Sequence, residues 1–513
     1  MTEAERLIAA AATLTVAGAF RMQVTLSPDA PALEQGGRGL SYRALDQRAG
    51  RLALVLRDAG VGSGDRVAIL AENRAEYVEL FLAAARIGAI VACQNWRLTD
   101  AELAHCLRLV APALAVVSPR HAATLARLDA PPTPRIVLGE DYERRLAAAE
   151  PTAELPIDPE AGLLILYTSG TTGLPKGALI SHRALLARSM VAAADWQLGR
   201  DTFVAWTPLF HMGAADQTIA TLLLGGKVIV MDGFDAAALV GVIGRERLGH
   251  LTVVPGVVDR LIAALQHAAA RPGGLAVAGV RVVGVMADLV PPPLLATLTA
   301  LLGAPYGNTF GSTETGMPPA SRGLIPPGVA PTRLAKTQSS FCQLRLVDAD
   351  DAEVADGTPG ELTLRGPTLF SGYFAAEGAN LEDFRGGWFH MGDVFVRRPD
   401  GTLDFVDRRK YLIKSGGENI YPAEIERVLL ALPGVADAVV VRQADARWGE
   451  VPVAFVVRQD ATLTEAAVLA ACRGRMAGYK LPKAVRFIAD SDLPRSTSGK
   501  IQRHLLEQQL QTP

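Results

Sequence analysis

The sequence predicts an α/β protein: two sheets of alternating strands and helices, a small β-rich lobe, and a compact α+β unit at the C-terminal end. Three observations predict it. Short apolar runs at 65–70, 90–92, 114–117 and 135–138 alternate with helical segments such as 76–87, and a second series, with strands at 227–231, 251–254 and 281–285, continues to about residue 310. From about residue 340 the apolar period changes to two, at 343–347 and 360–365. Strands at 435–441 and 451–457 then lie between helices at 422–431 and 464–477. A chain of 513 residues is too long for one core.

Residues 7–20 are apolar and alanine-rich, but Glu3, Glu5 and Arg6 are not the basic lead that an export signal needs. A helix packed on the body is expected there. Over 38–58 a strand turns into an amphipathic helix, capped by Ser41, with Leu45, Ala49, Leu52 and Leu56 on one face. Residues 146–162, rich in Pro, Glu and Ala, connect to an apolar run at 163–167 of buried-strand length. A helix is expected over 183–195. No window reaches 18 uncharged apolar residues, so no membrane-spanning helix is expected.

Composition narrows the function. Fifty-one basic against 53 acidic residues leave a net charge of −2 with no basic stripe, which argues against a nucleic-acid partner. Cys93, Cys106, Cys342 and Cys472 are far apart and form no C-x-x-C pair. That argues against a zinc site or a disulfide framework and favours a reducing, cytoplasmic compartment.

The densest chemistry lies at 168–177, where four hydroxyls (Thr168, Ser169, Thr171, Thr172), three glycines (Gly170, Gly173, Gly177) and the ammonium of Lys176 fall within ten residues. Glycines turn backbone N–H groups inward, hydroxyls add donors and the lysine adds charge, a composition suited to a polyphosphate. Pro175 stands where G-x-x-x-x-G-K-[ST] needs its second glycine, so this is not a P-loop. A plain polar turn between strand and helix is the weaker alternative.

Five further clusters follow. Phe310-Gly311-Ser312-Thr313-Glu314 puts a hard-oxygen carboxylate, fit for Mg²⁺, beside an aromatic that can lie on a purine. Asp393, expected at a tight turn after Gly392, can accept from both hydroxyls of a ribose. The charge run 407–410, Gly416-Gly417 ahead of Pro422, and Lys500 in a Ser- and Gly-rich terminal loop complete the set; singly, a solvated hairpin or loop explains most of these as well.

In order and spacing these motifs resemble the adenylate-forming superfamily of acyl-CoA synthetases, luciferases and peptide-synthetase adenylation domains, over essentially the whole chain. The resemblance implies an N-terminal adenylation domain over 1–409 and a small mobile C-terminal domain over 410–513, with Lys410 as hinge. It assigns Thr168, Ser169, Gly170, Thr171, Thr172 and Lys176 to the ATP phosphates, and Phe310, Gly311 and Ser312 to the nucleotide. Glu314 becomes the Mg²⁺ ligand, Thr313 a neighbour of the α-phosphate, Asp393 and Arg408 the ribose pair, and Lys500 the lysine bridging carboxylate and α-phosphate. His211 stands at the junction of acyl pocket and thiol tunnel, with Gly416 and Gly417 lining that tunnel. Arg97, Trp448 and Lys483 match CoA-contacting positions, whereas Leu481 departs from the basic residue of some relatives.

The implied reaction is ligation of an apolar monocarboxylic acid, fatty, alicyclic or aromatic, to CoA with ATP and Mg²⁺. Phe210, Met212, Gly213, Met286, Ala287 and Gly316 flank the expected pocket, with no cation for a second carboxylate. An acyl-carrier-protein loading enzyme, a luciferase-like oxygenase and a catalytically silent sensor are the rivals. The resemblance leaves room for a homodimer and for regulatory acylation of Lys500.

Overall fold

The structure, a computed structural model, describes residues 2–169, 174–285, 287–415, 418–473, 475–495 and 501–511. Two units divide it: residues 1–343 with 365–387, and residues 344–364 with 388–513. The boundary expected at 409/410 falls inside the second unit, which takes in the β-rich lobe. Compactness and hinge motion are different properties, so this division leaves the hinge assignment at Lys410 untouched.

The first unit holds two large sheets. In one, strands Arg135–Val137, Leu114–Val117, Arg66–Leu70, Ile90–Cys93 and Gly162–Ser169 lie side by side and parallel, and Pro175–Ser181 closes the edge antiparallel. Their near-continuous apolar composition follows from burial on both faces. The other sheet has eight strands, and its parallel centre runs Tyr306–Gly307, Val280–Val283, Leu248–Leu251, Thr202–Ala205, Lys227–Val230 and Pro31–Gln35. Helix Tyr42–Asp58 begins where the sequence puts it, with the Ser41 hydroxyl accepting from Ala44 N–H.

Two local expectations are corrected. The strand expected at 251–254 is Leu248–Leu251, because His250 interrupts the apolar pattern yet is buried, stacked on Phe203 and tilted against Trp196. At the N-terminal end, burial belongs to helix Val16–Leu26 through Val16, Ala17, Ala19 and Phe20, whereas Leu7 and Ile8 of helix Glu3–Ala12 are exposed.

Burial has a price at two histidines. His250, and His182, whose Nδ1 accepts from Val16 N–H at 3.2 Å, are both pushed down to about 4 by desolvation. Between pH 4 and the ordinary histidine range the unfolded chain binds these protons and the folded chain does not. Stability is therefore full above the ordinary histidine range and is lost as pH drops through that window, by about 3 kcal/mol per histidine at its lower end. Thermal unfolding at pH 7.5, 6 and 4.5 is expected to show that decline, and His182→Asn, which keeps an acceptor for Val16, to flatten it. A slope identical in the variant would contradict this account.

The second unit carries a four-stranded antiparallel sheet, Gln343–Val347, Pro359–Arg365, Phe389–Arg397 and Leu403–Arg408, the expected β-rich lobe. A five-stranded sheet follows, centred on Gly449–Arg458 and Val435–Asp445. Its alternating residues serve two cores. Val440 and Val456 pack with Ile425 and Leu429 of helix Pro422–Leu430, and Val439 and Phe455 pack with Leu506 of helix Arg503–Gln511. The helix expected over 464–477 is only Glu465–Cys472. All four cysteines are free and buried, and no described helix is long and apolar enough to cross a membrane.

Candidate active site

The 168–177 segment joins two strands, not a strand and a helix. Gly162–Ser169 and Pro175–Ser181 form a hairpin in which Thr168 faces Lys176. Gly177 answers to packing rather than to phosphate, since a Cβ there would meet Ile165 Cγ2 at 2.9 Å. Gly170, Thr171 and Thr172 lie outside the described residues, as do the side chain of Ser169, and Met286, Gly416, Gly417 and Lys500.

Residues 370–374 run beside the hairpin: Ser371 N–H donates to Leu179 C=O at 2.7 Å and Phe374 N–H to Gly177 C=O at 2.8 Å. This places Tyr373 so that Lys176 Nζ sits 4.7 Å from its ring centroid, while Tyr373 Oη donates to Glu314 Oε1 at 2.8 Å. Lys176 and Glu314, far apart in sequence, are thereby gathered around one side chain. Sequence reasoning missed Tyr373, because a lone Gly-Tyr in a loop gives no signal by itself.

Glu314 lies at the tip of a ribbon in which Phe310–Ser312 pairs with Gly316–Ala320. Gly311 is required there, because a Cβ would meet Gly316 C=O at 2.1 Å. The ribbon is held from beneath by Arg188, also missed. This buried guanidinium donates to Thr313 C=O at 3.1 Å and Thr368 C=O at 2.9 Å, and pairs with buried Asp216 at 3.0 Å. Glu314 is half-buried, and among the described residues only Tyr373 engages its carboxylate. One oxygen remains for a hard cation, which suits Mg²⁺, an ion that takes one or two carboxylates and fills its shell with water and phosphate oxygens.

His211, Asp288 and Phe310 all follow the C-terminal ends of parallel strands in the eight-stranded sheet, the edge where open α/β sheets bind ligands. His211 abuts Phe210 at 4.7 Å between ring centroids, Phe210 meets Trp96 edge-on at 6.2 Å, and the Arg97 guanidinium lies 5.0 Å over Trp96. An aromatic wall thus connects Arg97 to His211. A cation absent from the sequence reading, Lys336, is wholly buried here. Its ammonium donates to Asp288 and Asn308, so its charge is neutralised inside the protein.

In the second unit Asp393 is not at a turn but within strand Phe389–Arg397, at a bulge where Gly392 has φ +71°. Glu361 fixes the bulge by accepting from Gly392 N–H at 3.2 Å, and pairs with Arg409 at 2.5 Å. Asp393 and Arg408 face each other across adjacent strands, 2.6 Å apart, the carboxylate buried and the guanidinium partly exposed. Lys410 is exposed in the turn Arg409–Tyr411, its ammonium 4.9 Å over Tyr411 and its C=O accepting from Arg442. Trp448 is exposed between two cations, Arg447 at 4.7 Å and Lys483 at 5.9 Å. Asp445 orders this corner by accepting from Arg447 and Trp448 N–H, bonds that hold its carboxyl below the usual range.

Comparison with known proteins follows the same division of motifs. Residues 20–374 match the family described as AMP-binding enzyme, and residues 424–500 its C-terminal domain. Feruloyl-CoA synthase of an Amycolatopsis species is 37% identical over 93% of this chain and 95% of its own length. Indoleacetate–CoA ligase of Aromatoleum aromaticum is 36% identical over 93% and 94%. The ATP-bound structure of MatB from Rhodopseudomonas palustris superposes with a TM-score of 0.80 at 29% identity, covering 97% of this chain and 99% of that one.

Proposed function

This chain belongs to the AMP-binding enzyme family and is an AMP-forming acid–thiol ligase; from that premise we propose that it activates an apolar monocarboxylic acid, most favourably an aromatic one, and passes the acyl group to coenzyme A. The observation that carries the reading is the gathering of Lys176 and Glu314 around Tyr373, which sets an ammonium and a carboxylate beside the hairpin assigned to the polyphosphate.

A carboxylate is a poor acyl donor because its leaving group is oxide. One of its oxygens attacks the α-phosphorus of ATP, the bond to the bridging oxygen breaks, and pyrophosphate leaves with that electron pair. Two anions meet in this step, so positive charge must stand where negative charge develops. We assign Lys176 and the hydroxyls of 168–172 to the outer phosphates, Asp393 and Arg408 to the ribose, and Lys500 to the reacting oxygens. Phe310, Gly311 and Ser312 are assigned to the nucleotide, with Thr313 beside the α-phosphate. Glu314 would hold Mg²⁺, which neutralises phosphate charge when bound.

In the second step the thiolate attacks the anhydride carbonyl and AMP leaves. Free thiols ionise near pH 8.5, so nearby cations help. Arg97 and the Trp448 corner, where two cations flank an aromatic face, suit a nucleotide-bearing thiol, and His211 stands at the head of the aromatic wall. Gly416 and Gly417 are assigned to its tunnel, and Lys410 to the hinge that exchanges the two half-reactions. The relatives that handle ferulate and indoleacetate favour an aromatic acid, and the internal neutralisation of Lys336 disfavours a second carboxylate.

Mass spectrometry on Mg-ATP with a panel of acids, from acetate to palmitate through benzoates, cinnamates, cyclohexanecarboxylate and malonate, tests this with and without CoA. AMP and a single acyl-CoA, formed only with CoA, are expected. Accumulated acyl-AMP indifferent to CoA would assign the second step to a carrier protein. Trp448→Ala is expected to raise KM for CoA about tenfold, the loss of one stacking and cation–π platform, with pyrophosphate exchange unchanged. An unchanged KM would remove Trp448 from the CoA site.

A further inference from the structure

One tyrosine stands between the two charged groups that phosphate chemistry requires, and the fold goes to some length to fix it. Tyr373 N–H donates to Asn380 Oδ1 at 2.7 Å, its C=O accepts from Asn380 Nδ2 at 2.9 Å, and its backbone bridges Ala178 of the hairpin. Its ring packs edge-on against Phe370 at 4.9 Å, and it is 8% exposed. The preceding Gly372 has φ +91°, and a Cβ there would crowd the Asn380 side chain at 3.0 Å. Phe370 N–H in turn donates to Glu314 C=O at 2.8 Å, so one short segment ties the carboxylate's main chain and side chain alike.

The geometry points to Tyr373 as a positioning residue for adenylation. Its O–H holds one oxygen of Glu314 and so turns the other toward the metal. Its ring face holds the ammonium of Lys176, so a single clamped side chain sets the spacing between the metal-bearing carboxylate and the phosphate-bearing cation. This rests on the roles proposed above for Glu314 and Lys176. The physical need is real: Mg²⁺ demands near-octahedral geometry, and a carboxylate free to rotate presents its oxygen correctly only part of the time.

Tyr373→Phe separates the two contacts, because it removes the hydrogen bond and keeps the ring. Mn²⁺ affinity, read by electron paramagnetic resonance with α,β-methylene-ATP so that no turnover occurs, is expected to weaken about tenfold, as for loss of a hydrogen bond to a charged group. Affinity for the analogue at saturating Mn²⁺ is expected to change less than about twofold, since the cation–π contact survives, whereas Tyr373→Leu, which removes both contacts, is expected to weaken both. Glu314→Gln and the double variant are measured alongside, with thermal unfolding as a check on folding. If Glu314→Gln weakens Mn²⁺ binding and Tyr373→Phe does not, the proposal is overturned and the metal site stands. If Glu314→Gln itself leaves Mn²⁺ affinity unchanged, the metal assignment fails and the proposal with it. A Tyr373→Phe effect that disappears in the Glu314→Gln background is the supporting result.

Discussion

Glu314→Gln is expected to slow ATP–pyrophosphate exchange by roughly two to three orders of magnitude, with the melting temperature within about 2 °C of the parent. The substitution keeps the shape of the side chain and an oxygen that accepts from Tyr373, and removes only the charge. Structure is spared because the ribbon is held through main-chain groups: Phe370 N–H reaches Glu314 C=O, and Arg188 reaches Thr313 C=O, whatever the side chain at 314. The loss should appear in the first half-reaction, so acyl-AMP supplied ready-made is expected to react with CoA at a nearly normal rate. Exchange within threefold of the parent would remove Glu314 from the adenylation machinery.

Arg188→Ala is expected to produce the largest loss of stability, about 3–5 kcal/mol, because it strips the partner from a buried charge. Asp216 is buried, and desolvation already pushes its carboxyl up against the pull of Arg188. Without the guanidinium it takes up a proton in the folded state that the unfolded chain releases. The variant's stability should therefore decline further as pH rises from 5 to 8, the reverse of the histidine effect. Thr313 C=O and Thr368 C=O lose their donor as well, so pyrophosphate exchange should fall at temperatures where the variant is still folded. Differential scanning calorimetry at pH 5 and 8, with Arg188→Lys as a charge-retaining comparison, measures this. A melting temperature unchanged at both pH values would show that the ion pair contributes nothing to holding the ribbon.

Much of the architecture is legible because burial leaves a local mark. The strands at 114–117 and 343–347 and the Ser41-capped helix fall where apolar period and cap place them. The errors have physical causes. His250 hides a strand because aromatic packing, not hydropathy, satisfies it, and Pro175 and Gly177 disguise the return strand of the hairpin as loop. The Asp393 bulge escapes because it is defined by a mismatch with the opposite strand, which a single strand does not encode. Tyr373, Arg188 and Lys336 are invisible for one shared reason. Each acts on residues tens to more than a hundred positions away, and each sits in sequence surroundings that suggest only a loop or a helix face.

The hairpin at 162–181 bears on how the reaction runs forward. The chain leaves the hairpin along a seven-residue strand and the next helix begins only at His182, so the segment that follows the turn offers a polyphosphate a strand and not a helix N-terminus. P-loops hold their product with a fixed dipole that no side-chain motion can switch off. In the roles proposed above, the attraction comes from side-chain hydroxyls and the Lys176 ammonium rather than from a helix dipole. On that proposal, commitment to the acyl adenylate comes from ready escape of a by-product held by a few side-chain contacts, with Lys176 kept in place on the Tyr373 ring.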